Sequence, residues 1–287
     1  MSKKIILITG ASNGIGRETA LTLAKQNYQL IIHGRNSERT KEVYDEIIAA
    51  GNHDVSMITA DLSLMSEVVK FADQVKSQVD HLDVLYNNAG GQFGLEREVT
   101  AEGHEKTFAI NMLSPFLLTK LLLPILEKSD SARIVTQSSD SYRSAEPILD
   151  DIELENHYDF GSTYGLSKLY VWWLMRGFDE HLKAEGITNV TVNSIEPGTA
   201  LDTGLQRVSG KIPEMQQLMD QYKEYSWSIA DAASTGLYVI TSPDLEGVSG
   251  KFYGNKQEKN IESKWLSESG QKQVWDYTKK TLQDYLV

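Results

Sequence analysis

The first two thirds of the chain alternate short apolar runs with longer stretches in which apolar residues recur every three or four positions. The first run, Ile5–Ile8, contains no polar residue, which is typical of a strand buried on both faces of a parallel sheet. Similar runs predict five more strands, at residues 29–33, 55–58, 83–86, 133–136 and 190–195.

Helical periodicity fills the intervals between these runs. It predicts helices over residues 14–26, 37–50 with Ser37 as N-cap, 63–79, 101–127 with a kink at Pro115, and 162–185. Strands separated by helices of this length indicate βαβ units, and right-handed crossovers then favour a doubly wound sheet. We therefore predict an α/β protein: one Rossmann domain over residues 1–287, a parallel sheet with helices on both faces.

Three glycines, Gly10, Gly14 and Gly16, follow the first strand and precede the first helix in the pattern T-G-x-x-x-G-x-G. Glycine lets the backbone turn tightly and approach a phosphate, whose charge is stabilised by the free N–H groups at the helix N-terminus. The alternative is a turn whose glycines serve packing only. The phosphate hypothesis makes cofactor-binding candidates of Gly10, Ser12, Asn13, Gly14, Ile15 and Gly16.

Composition narrows the classes of function. With 40 acidic and 28 basic residues the formal charge is −12, so we expect neither nucleic acid nor a membrane surface as a partner. The chain has no cysteine, and its six histidines lack metal-ligand spacing, so we expect no catalytic metal. The apolar stretch 115–126 is short and interrupted, as in a core helix. We expect a cytoplasmic protein, because the first strand begins at once and leaves no room for a signal peptide.

Polar loops follow each of the six predicted strands, so they meet at one edge of the sheet, where ligands of such folds bind. The second strand ends in Gly34–Arg35 and lacks the carboxylate that would bind the ribose of NAD. A guanidinium at Arg35 suits a 2′-phosphate, which predicts NADP(H) over NAD(H). Arg17 and Arg39 are weaker candidates, and a solvated surface arginine is the alternative. In the next two loops the candidates are Asp61, Leu62, Asn87, Ala89 and Gly90, although Asp61 also fits the start of a helix.

Tyr164 and Lys168 lie four residues apart and share one face of a predicted helix. A phenol has a pKa near 10, and a nearby ammonium lowers it toward the range useful for general acid–base catalysis. A Y-x-x-x-K pair is common on helix surfaces. Its position after the fifth strand and after the hydroxyl-rich segment 136–139 favours a catalytic role.

Together these motifs resemble the short-chain dehydrogenase/reductase family over nearly the whole chain. The resemblance rests on Thr9-Gly10-x-x-x-Gly14-x-Gly16, Asn87-Asn88-Ala89-Gly90, Asn111, Ser138-Ser139, Tyr164-x-x-x-Lys168 and Pro197-Gly198. It implies hydride transfer between nicotinamide and a small-molecule carbonyl or alcohol substrate. Tyr164 would be the acid, Lys168 would lower its pKa and hold the nicotinamide ribose, Ser139 would orient the carbonyl, and Asn111 would anchor a relay water. Tyr164 and Lys168 would thus also contact the cofactor, as would Pro197, Gly198 and Thr199.

Softer motifs, among them the segments 103–111 and 242–253, resemble the retinol-dehydrogenase-like branch, which includes the WW-domain oxidoreductase. The chain departs from the family at Asp202, which stands where a hydroxyl is usual. Six acids of the insertion 140–160 predict a solvated rim, with a cation-steering role as the alternative: Glu146, Asp150, Asp151, Glu153, Glu155 and Asp159.

Residues 199–227 resemble a substrate lid, with a stable packed helix over 214–225 as the alternative, and Phe93 and Leu95 are pocket candidates. The segment from Ile261 predicts either a packed helix or a subunit contact in a homo-oligomer.

Three other functions fit parts of this pattern. A redox sensor would bind the dinucleotide without needing Tyr164 or Lys168. A sugar-nucleotide epimerase would share that pair, but usually has T-G-x-x-G-x-x-G spacing and a longer C-terminal region. A methyltransferase would share the glycine loop without explaining the pair. The sequence therefore favours a short-chain NAD(P)-dependent oxidoreductase.

Overall fold

The computed structural model describes residues 3–200, 216–217, 220–221 and 223–286. In this part of the chain eight strands form one sheet, in the order β3-β2-β1-β4-β5-β6-β7-β8. All neighbouring strands are parallel except the last pair, β7 and β8. The strands are β1 Ile5–Ile8, β2 Gln29–Gly34, β3 Val55–Thr59, β4 Val84–Asn87, β5 Ala132–Gln137, β6 Val190–Glu196, β7 Phe252–Gly254 and β8 Gln257–Glu258.

The helices are α1 Gly14–Ala24, α2 Ser37–Ala49, α3 Met65–Gln78, α4 Lys106–Phe108, α5 Ser114–Leu126, α6 Phe160–Ala184, α7 Ile229–Thr241 and α8 Glu268–Thr281. A π-helical turn, Ala109–Leu113, joins α4 to α5, and short 3-10 helices include Asp140–Ser144 and Lys223–Tyr225.

The sheet is covered on both faces because its strands alternate apolar side chains between two cores. Leu7 and Ile31 pack with residues of α3, α5 and α6. Their neighbours Ile8 and Ile32 pack with residues of α1, α2 and α7 on the opposite face. The predicted doubly wound α/β fold is confirmed.

The N-cap of α2 and the start of α6 differ from the predictions. In both cases a polar side chain before the helix accepts a hydrogen bond from one of its first N–H groups. Asn36, not Ser37, is the N-cap of α2, because its Oδ1 accepts a hydrogen bond from the Arg39 amide at 2.9 Å. The helix predicted from residue 162 begins at Phe160, since Asp159 caps it by accepting from the Ser162 amide at 2.7 Å.

The long helical region predicted at residues 101–127 begins only at Lys106. A π-helical turn lies directly before Pro115, the residue at which a kink was predicted. Pro115 lies in the first turn of α5, where a missing N–H is tolerated. The region Lys106–Leu126 is long and apolar enough to cross a membrane, but 83% of its most apolar window is buried within the protein, as in a core helix.

The solvated acidic rim predicted for residues 140–160 is wrong for two of its acids. Asp151 is buried and accepts from the amides of residues 155, 156 and 157. Glu153 is buried and accepts from the Tyr277 hydroxyl at 2.7 Å and the Glu105 amide at 2.9 Å, with His104 Nδ1 3.0 Å away. Asp151 thus closes a turn within the insertion, and Glu153 holds the insertion against the start of α4 and against α8.

The segment after residue 261 forms the packed helix α8, one of its two predicted alternatives. The Trp275 ring lies 5.1 Å from the rings of both Phe116 and Phe178. Gly177 of α6 makes room for it, because a Cβ there would lie 2.6 Å from Trp275 Cε3.

We expect Gly177→Ala to lower the free energy of unfolding by about 1–2 kcal/mol, since overpacking against Trp275 exceeds the gain in helix propensity. Urea denaturation measures this difference. In Gly177→Ala/Trp275→Phe the loss should shrink, and Gly161→Ala, at an exposed position at the start of α6, should change little. An equal loss in the background of the smaller phenylalanine ring would contradict this packing.

Candidate active site

A cleft of about 570 Å³ lies outside the carboxyl ends of the parallel strands. Its walls come from the loops after β1 to β6 and from one face of α6. Most of the predicted site residues line it: Gly10, Ser12, Asn13, Gly14, Ile15, Gly16, Arg35, Asp61, Leu62, Ala89, Gly90, Ser139, Tyr164, Lys168, Pro197, Gly198 and Thr199. Asn87 and Asn111 are not among the lining residues.

The glycine loop after β1 is packed too tightly for larger residues at two positions. Gly10 has φ +68°, and a Cβ there would lie 2.8 Å from Ala89 Cα. A Cβ on Gly16 would lie 2.3 Å from the Gly10 carbonyl oxygen. The first turn of α1 carries no acidic residue, so its free N–H groups face the cleft without a competing carboxylate.

The imidazole of His33, at the end of β2, fixes the glycine loop by a hydrogen bond. Its Nδ1 accepts from the Gly10 amide at 3.2 Å, so Nε2 is the protonated nitrogen that donates to the Ala60 carbonyl at 3.1 Å. Burial lowers the pKa of His33 to about 4, which keeps it in this neutral form near pH 7. Sequence analysis missed this role; the only signal for it was a histidine ending an apolar run.

Of the two neighbouring asparagines after β4, Asn88 and not Asn87 reaches the cleft. Asn87 is buried, and its Nδ2 donates to hydroxyls of Thr119 and Thr136 at 3.2 Å each. The Asn87 side chain therefore points into the core, away from the cleft, and its contact with a cofactor stays a prediction. Asn88 Nδ2 donates to the Thr9 carbonyl at 2.8 Å and ties the two loops together.

Arg35 lies at the rim of the cleft with its side chain 61% exposed, and its Nη1 is 3.8 Å from Asp61 Oδ2. Asp61 also starts the loop before α3, since its Oδ1 accepts from the Ser63 amide at 3.0 Å. Arg17 is engaged elsewhere, because it donates two hydrogen bonds to the Glu46 carboxylate. Arg35 is thus the cation of the lining at this end.

The two serines after β5 face different partners. Ser138 is buried and donates to the Lys168 carbonyl at 2.8 Å. Ser139 lines the cleft, hydrogen bonds with the Tyr164 hydroxyl, and accepts from the Ser141 amide at 3.2 Å. This geometry supports the choice of Ser139 over Ser138 as the serine nearest the phenol.

The electrostatics of Tyr164 run opposite to our prediction. Burial raises the pKa of Tyr164 to about 12, against a smaller lowering effect of the hydrogen bond with Ser139. Burial also lowers the pKa of Lys168 to about 7. Lys168 Nζ lies 5.7 Å from the centre of the Tyr164 ring and donates to the Gln137 carbonyl at 2.9 Å. Because burial disfavours the ammonium form of Lys168, this lysine does not lower the pKa of the phenol. Just above pH 7 both side chains therefore favour their neutral forms.

Asn111 lies in the π-helical turn and clamps the neighbouring loop. Its Oδ1 accepts from the Gly91 amide and its Nδ2 donates to the Gly91 carbonyl, both at 2.9 Å. The second Nδ2 hydrogen goes to the Ser167 hydroxyl at 2.9 Å, beside Lys168 on α6. The side chain therefore joins the loop after β4 to the helix that carries Tyr164.

The loop after β6 completes the cleft. Gly198 packs against Trp227, because a Cβ there would lie 2.7 Å from Trp227 Cδ2, and the Trp227 amide donates to the Thr199 carbonyl at 2.7 Å. Most of the predicted lid at 199–227, including Asp202, lies outside the described residues; of the helix predicted at 214–225, residues 216–217 and 220–221 are helical and Lys223–Tyr225 is a 3-10 helix. Phe93 lines the cleft, whereas Leu95 is not among its lining residues.

These residues fit a dinucleotide. A side-chain-free glycine cradle faces the N-terminus of α1, Arg35 supplies a cation at one end, and Lys168 supplies an amine at the other. Within the described residues, no group of three or more histidines and carboxylates has the geometry to hold a metal ion.

The family model of the short chain dehydrogenases matches residues 4–212. Retinol dehydrogenase 14 of Mus musculus is 34% identical over 96% of this chain and 85% of its own length. Polyprenol dehydrogenase of Homo sapiens is 31% identical over 95% and 83%. A putative short chain dehydrogenase of Shigella flexneri 2a, crystallised with NADP, superposes with a TM-score of 0.67 at 25% identity, covering 90% of this chain and 98% of that one.

We expect Lys168→Met to abolish activity yet stabilise the protein at pH 7. The unfolded chain binds a proton on this lysine up to pH 10.5, whereas the folded protein releases it near pH 7, so the stability of the wild type rises between these values. Removing the group relieves a penalty of up to about 4 kcal/mol at pH 7.

Thermal unfolding of the cofactor-free protein from pH 6.5 to 10 tests this expectation. The variant should have the higher melting temperature at pH 7, and the two curves should converge toward pH 10. Lys41→Met, at an exposed lysine of α2 whose partner Asp45 is also exposed, is the control. A destabilised Lys168→Met at pH 7 would show that its hydrogen bond to Gln137 outweighs desolvation.

Proposed function

The chain belongs to the short-chain dehydrogenase/reductase family, in its retinol-dehydrogenase-like branch, and on this basis we propose that it is an NADP(H)-dependent oxidoreductase. It transfers a hydride between nicotinamide and a carbonyl or alcohol substrate, with Tyr164 as the general acid or base. One observation carries this proposal: Tyr164, Lys168 and Ser139 converge in the same cleft as the glycine loop.

The nicotinamide cofactor, when bound, supplies or accepts the hydride. In the reducing direction the chain must deliver a proton to the carbonyl oxygen. With its pKa raised to about 12 by burial, Tyr164 keeps that proton at neutral pH and is in the form needed to donate it. Ser139 lies beside the phenol and orients the same oxygen through its hydroxyl.

Lys168 acts through its charge. Its pKa, lowered by burial to about 7, places it near the point at which a neighbouring anion decides whether it is protonated. Protonated Lys168 stabilises the phenolate that Tyr164 becomes after giving up its proton. Asn111 keeps Lys168 in place by bonding to Ser167, the residue before it.

NADP(H) is favoured over NAD(H) by the charge at the end of β2. No carboxylate follows this strand directly, and no side chain fits at Gly34, because a Cβ there would lie 2.3 Å from Thr40 Oγ1. The Arg35 guanidinium beside this position suits a 2′-phosphate. The relative crystallised with NADP is consistent with this preference.

The substrate we propose is a fairly apolar carbonyl compound or alcohol. Phe93, Ile110 and Ala200 line the cleft together with the proposed catalytic residues. Relatives are named for retinol and polyprenol, which are apolar alcohols. The dehydrogenase relatives favour this reaction over the epimerase and sensor alternatives.

We expect Tyr164→Phe to lower kcat for NADPH-dependent reduction by about 100-fold or more, since the general acid is lost. NADPH oxidation with a panel of apolar aldehydes and ketones measures this. The dissociation constant for NADPH should differ from that of the wild type by less than about 3-fold, because the variant removes no charged group that contacts the cofactor. Tyr238→Phe, outside the cleft, is the control. Equal turnover by Tyr164→Phe and wild type would remove Tyr164 as the acid.

We expect Arg35→Ala to weaken NADPH binding by about 10–100-fold, because a charge-assisted contact to the phosphate contributes about 1.5–3 kcal/mol. NADH binding should change little. Fluorescence titration with both dinucleotides measures the ratio of affinities. Arg17→Ala, whose guanidinium is bound to Glu46, is the matched control. A ratio that is unchanged in Arg35→Ala would contradict a 2′-phosphate site there.

A further inference from the structure

Strand β6 ends in a buried carboxylate at Glu196, directly before the Pro197–Gly198 loop. Its Oε2 accepts from the Gly198 amide at 2.6 Å, which folds the side chain back over its own loop. Its Oε1 lies 2.9 Å from Lys259 Nζ, with 5% of the Glu196 side chain exposed. A carboxylate in such a position needs a cationic partner, because its burial without one is strongly unfavourable.

The neighbouring strand is shaped around this carboxylate. Glu196 pairs with Gly254 of β7, and a Cβ on Gly254 would lie 1.9 Å from Glu196 Oε1. The β7–β8 hairpin turns through Asn255 and Lys256, which both have positive φ, as in a type I′ turn. The Lys259 amide then donates to the Phe252 carbonyl at 2.8 Å, so the hairpin returns Lys259 to the end of β6.

Lys259 also reaches the loop that carries Ser139. Its Nζ lies 3.4 Å from Oδ2 of Asp140, the residue after Ser139. Asp140 begins the short helix Asp140–Ser144, and its other oxygen lies 3.5 Å from Arg143 Nε. One ammonium thus bridges the loops after β5 and β6, both of which line the cleft. Burial opposes its charge, but the two carboxylates outweigh that effect and raise the pKa of Lys259.

We propose that Lys259 is a positioning residue that holds the Ser139 loop and the Pro197–Gly198 loop in one fixed arrangement. It does so through Asp140 on one side and Glu196 on the other, and touches neither the substrate nor the nicotinamide. The benefit for catalysis rests on the proposed function, in which Ser139 orients the substrate oxygen and the Gly198 loop contacts the cofactor. The mechanical link between the loops does not rest on it.

Lys259→Met removes the bridging charge at similar side-chain length, and Lys259→Arg keeps it. Lys251→Met is the matched control: Lys251 lies directly before β7 and pairs with Glu258 of the same hairpin at 2.7 Å, with both side chains about half exposed. The first readout is hydrogen exchange of the cofactor-free protein, followed by mass spectrometry in peptides covering residues 139–144 and 196–200. The second is the steady-state kinetics of NADPH-dependent reduction.

In Lys259→Met we expect exchange to quicken by about 5-fold or more in both segments together, which corresponds to about 1 kcal/mol of lost protection. We expect kcat to fall by about 10-fold with a smaller change in the KM for the carbonyl substrate, because misplaced groups weaken the transition state more than binding. Lys259→Arg should restore both readouts, and Lys251→Met should resemble wild type. Quickened exchange confined to residues 252–259 would overturn the proposal, because Lys259 would then stabilise only its own hairpin.

Lys259→Met leaves the buried carboxylate of Glu196 unpaired, which can unfold the protein. Glu196→Gln/Lys259→Met, which removes both charges, is therefore the second variant. It should regain thermal stability while both segments still exchange faster than in wild type. Wild-type exchange in both segments of this variant would overturn the proposal. Because exchange needs no turnover, an inactive wild type would count against the proposed function and leave the link between the loops to be decided by the exchange data.

Discussion

The chemistry proposed for the cleft depends on the burial of Lys168 away from water. The residue is 4% exposed, its amine donates to a backbone carbonyl at the end of β5, and burial lowers its pKa to about 7. The same dry surroundings raise the pKa of Tyr164 to about 12. The fold therefore holds two groups whose protonation responds to any charge that enters the cleft.

Two other ionisable side chains near the cleft, His33 and Glu196, are held in place by specific partners. His33 is held neutral by burial and by its place between two backbone groups. Glu196 is fixed by the opposite means, a charged partner and a backbone donor. The loops that approach a dinucleotide are thus held by side chains with specific hydrogen-bond and ion-pair partners, whereas burial shifts the pKa values of the proposed catalytic pair.

Local patterns were enough to predict the first six strands, because each is a short segment rich in apolar residues between helical segments; β1 was placed at its observed bounds. The glycine loop, Ser139 and the Tyr164–Lys168 pair could also be placed at one edge, since parallel strands bring their carboxyl ends together. The hairpin β7–β8 was missed, because three- and two-residue strands carry too little pattern. Side-chain direction was the other limit: periodicity did not show that Asn87 points inward, or that burial dominates the pKa of Tyr164.

The π-helical turn at Ala109–Leu113 sets how the two ends of the helical rod from Lys106 to Leu126 are rotated relative to each other. The Ser114 amide donates to the Ala109 carbonyl, five residues back instead of four, so the turn holds one residue more than a regular helix. One extra residue offsets the two ends of the rod by about 100° around its axis. α5 can therefore keep its apolar side against the sheet while Asn111 faces the loop after β4. A family member without this extra residue would lose either the packing of α5 against the sheet or the contacts of Asn111 with the loop after β4.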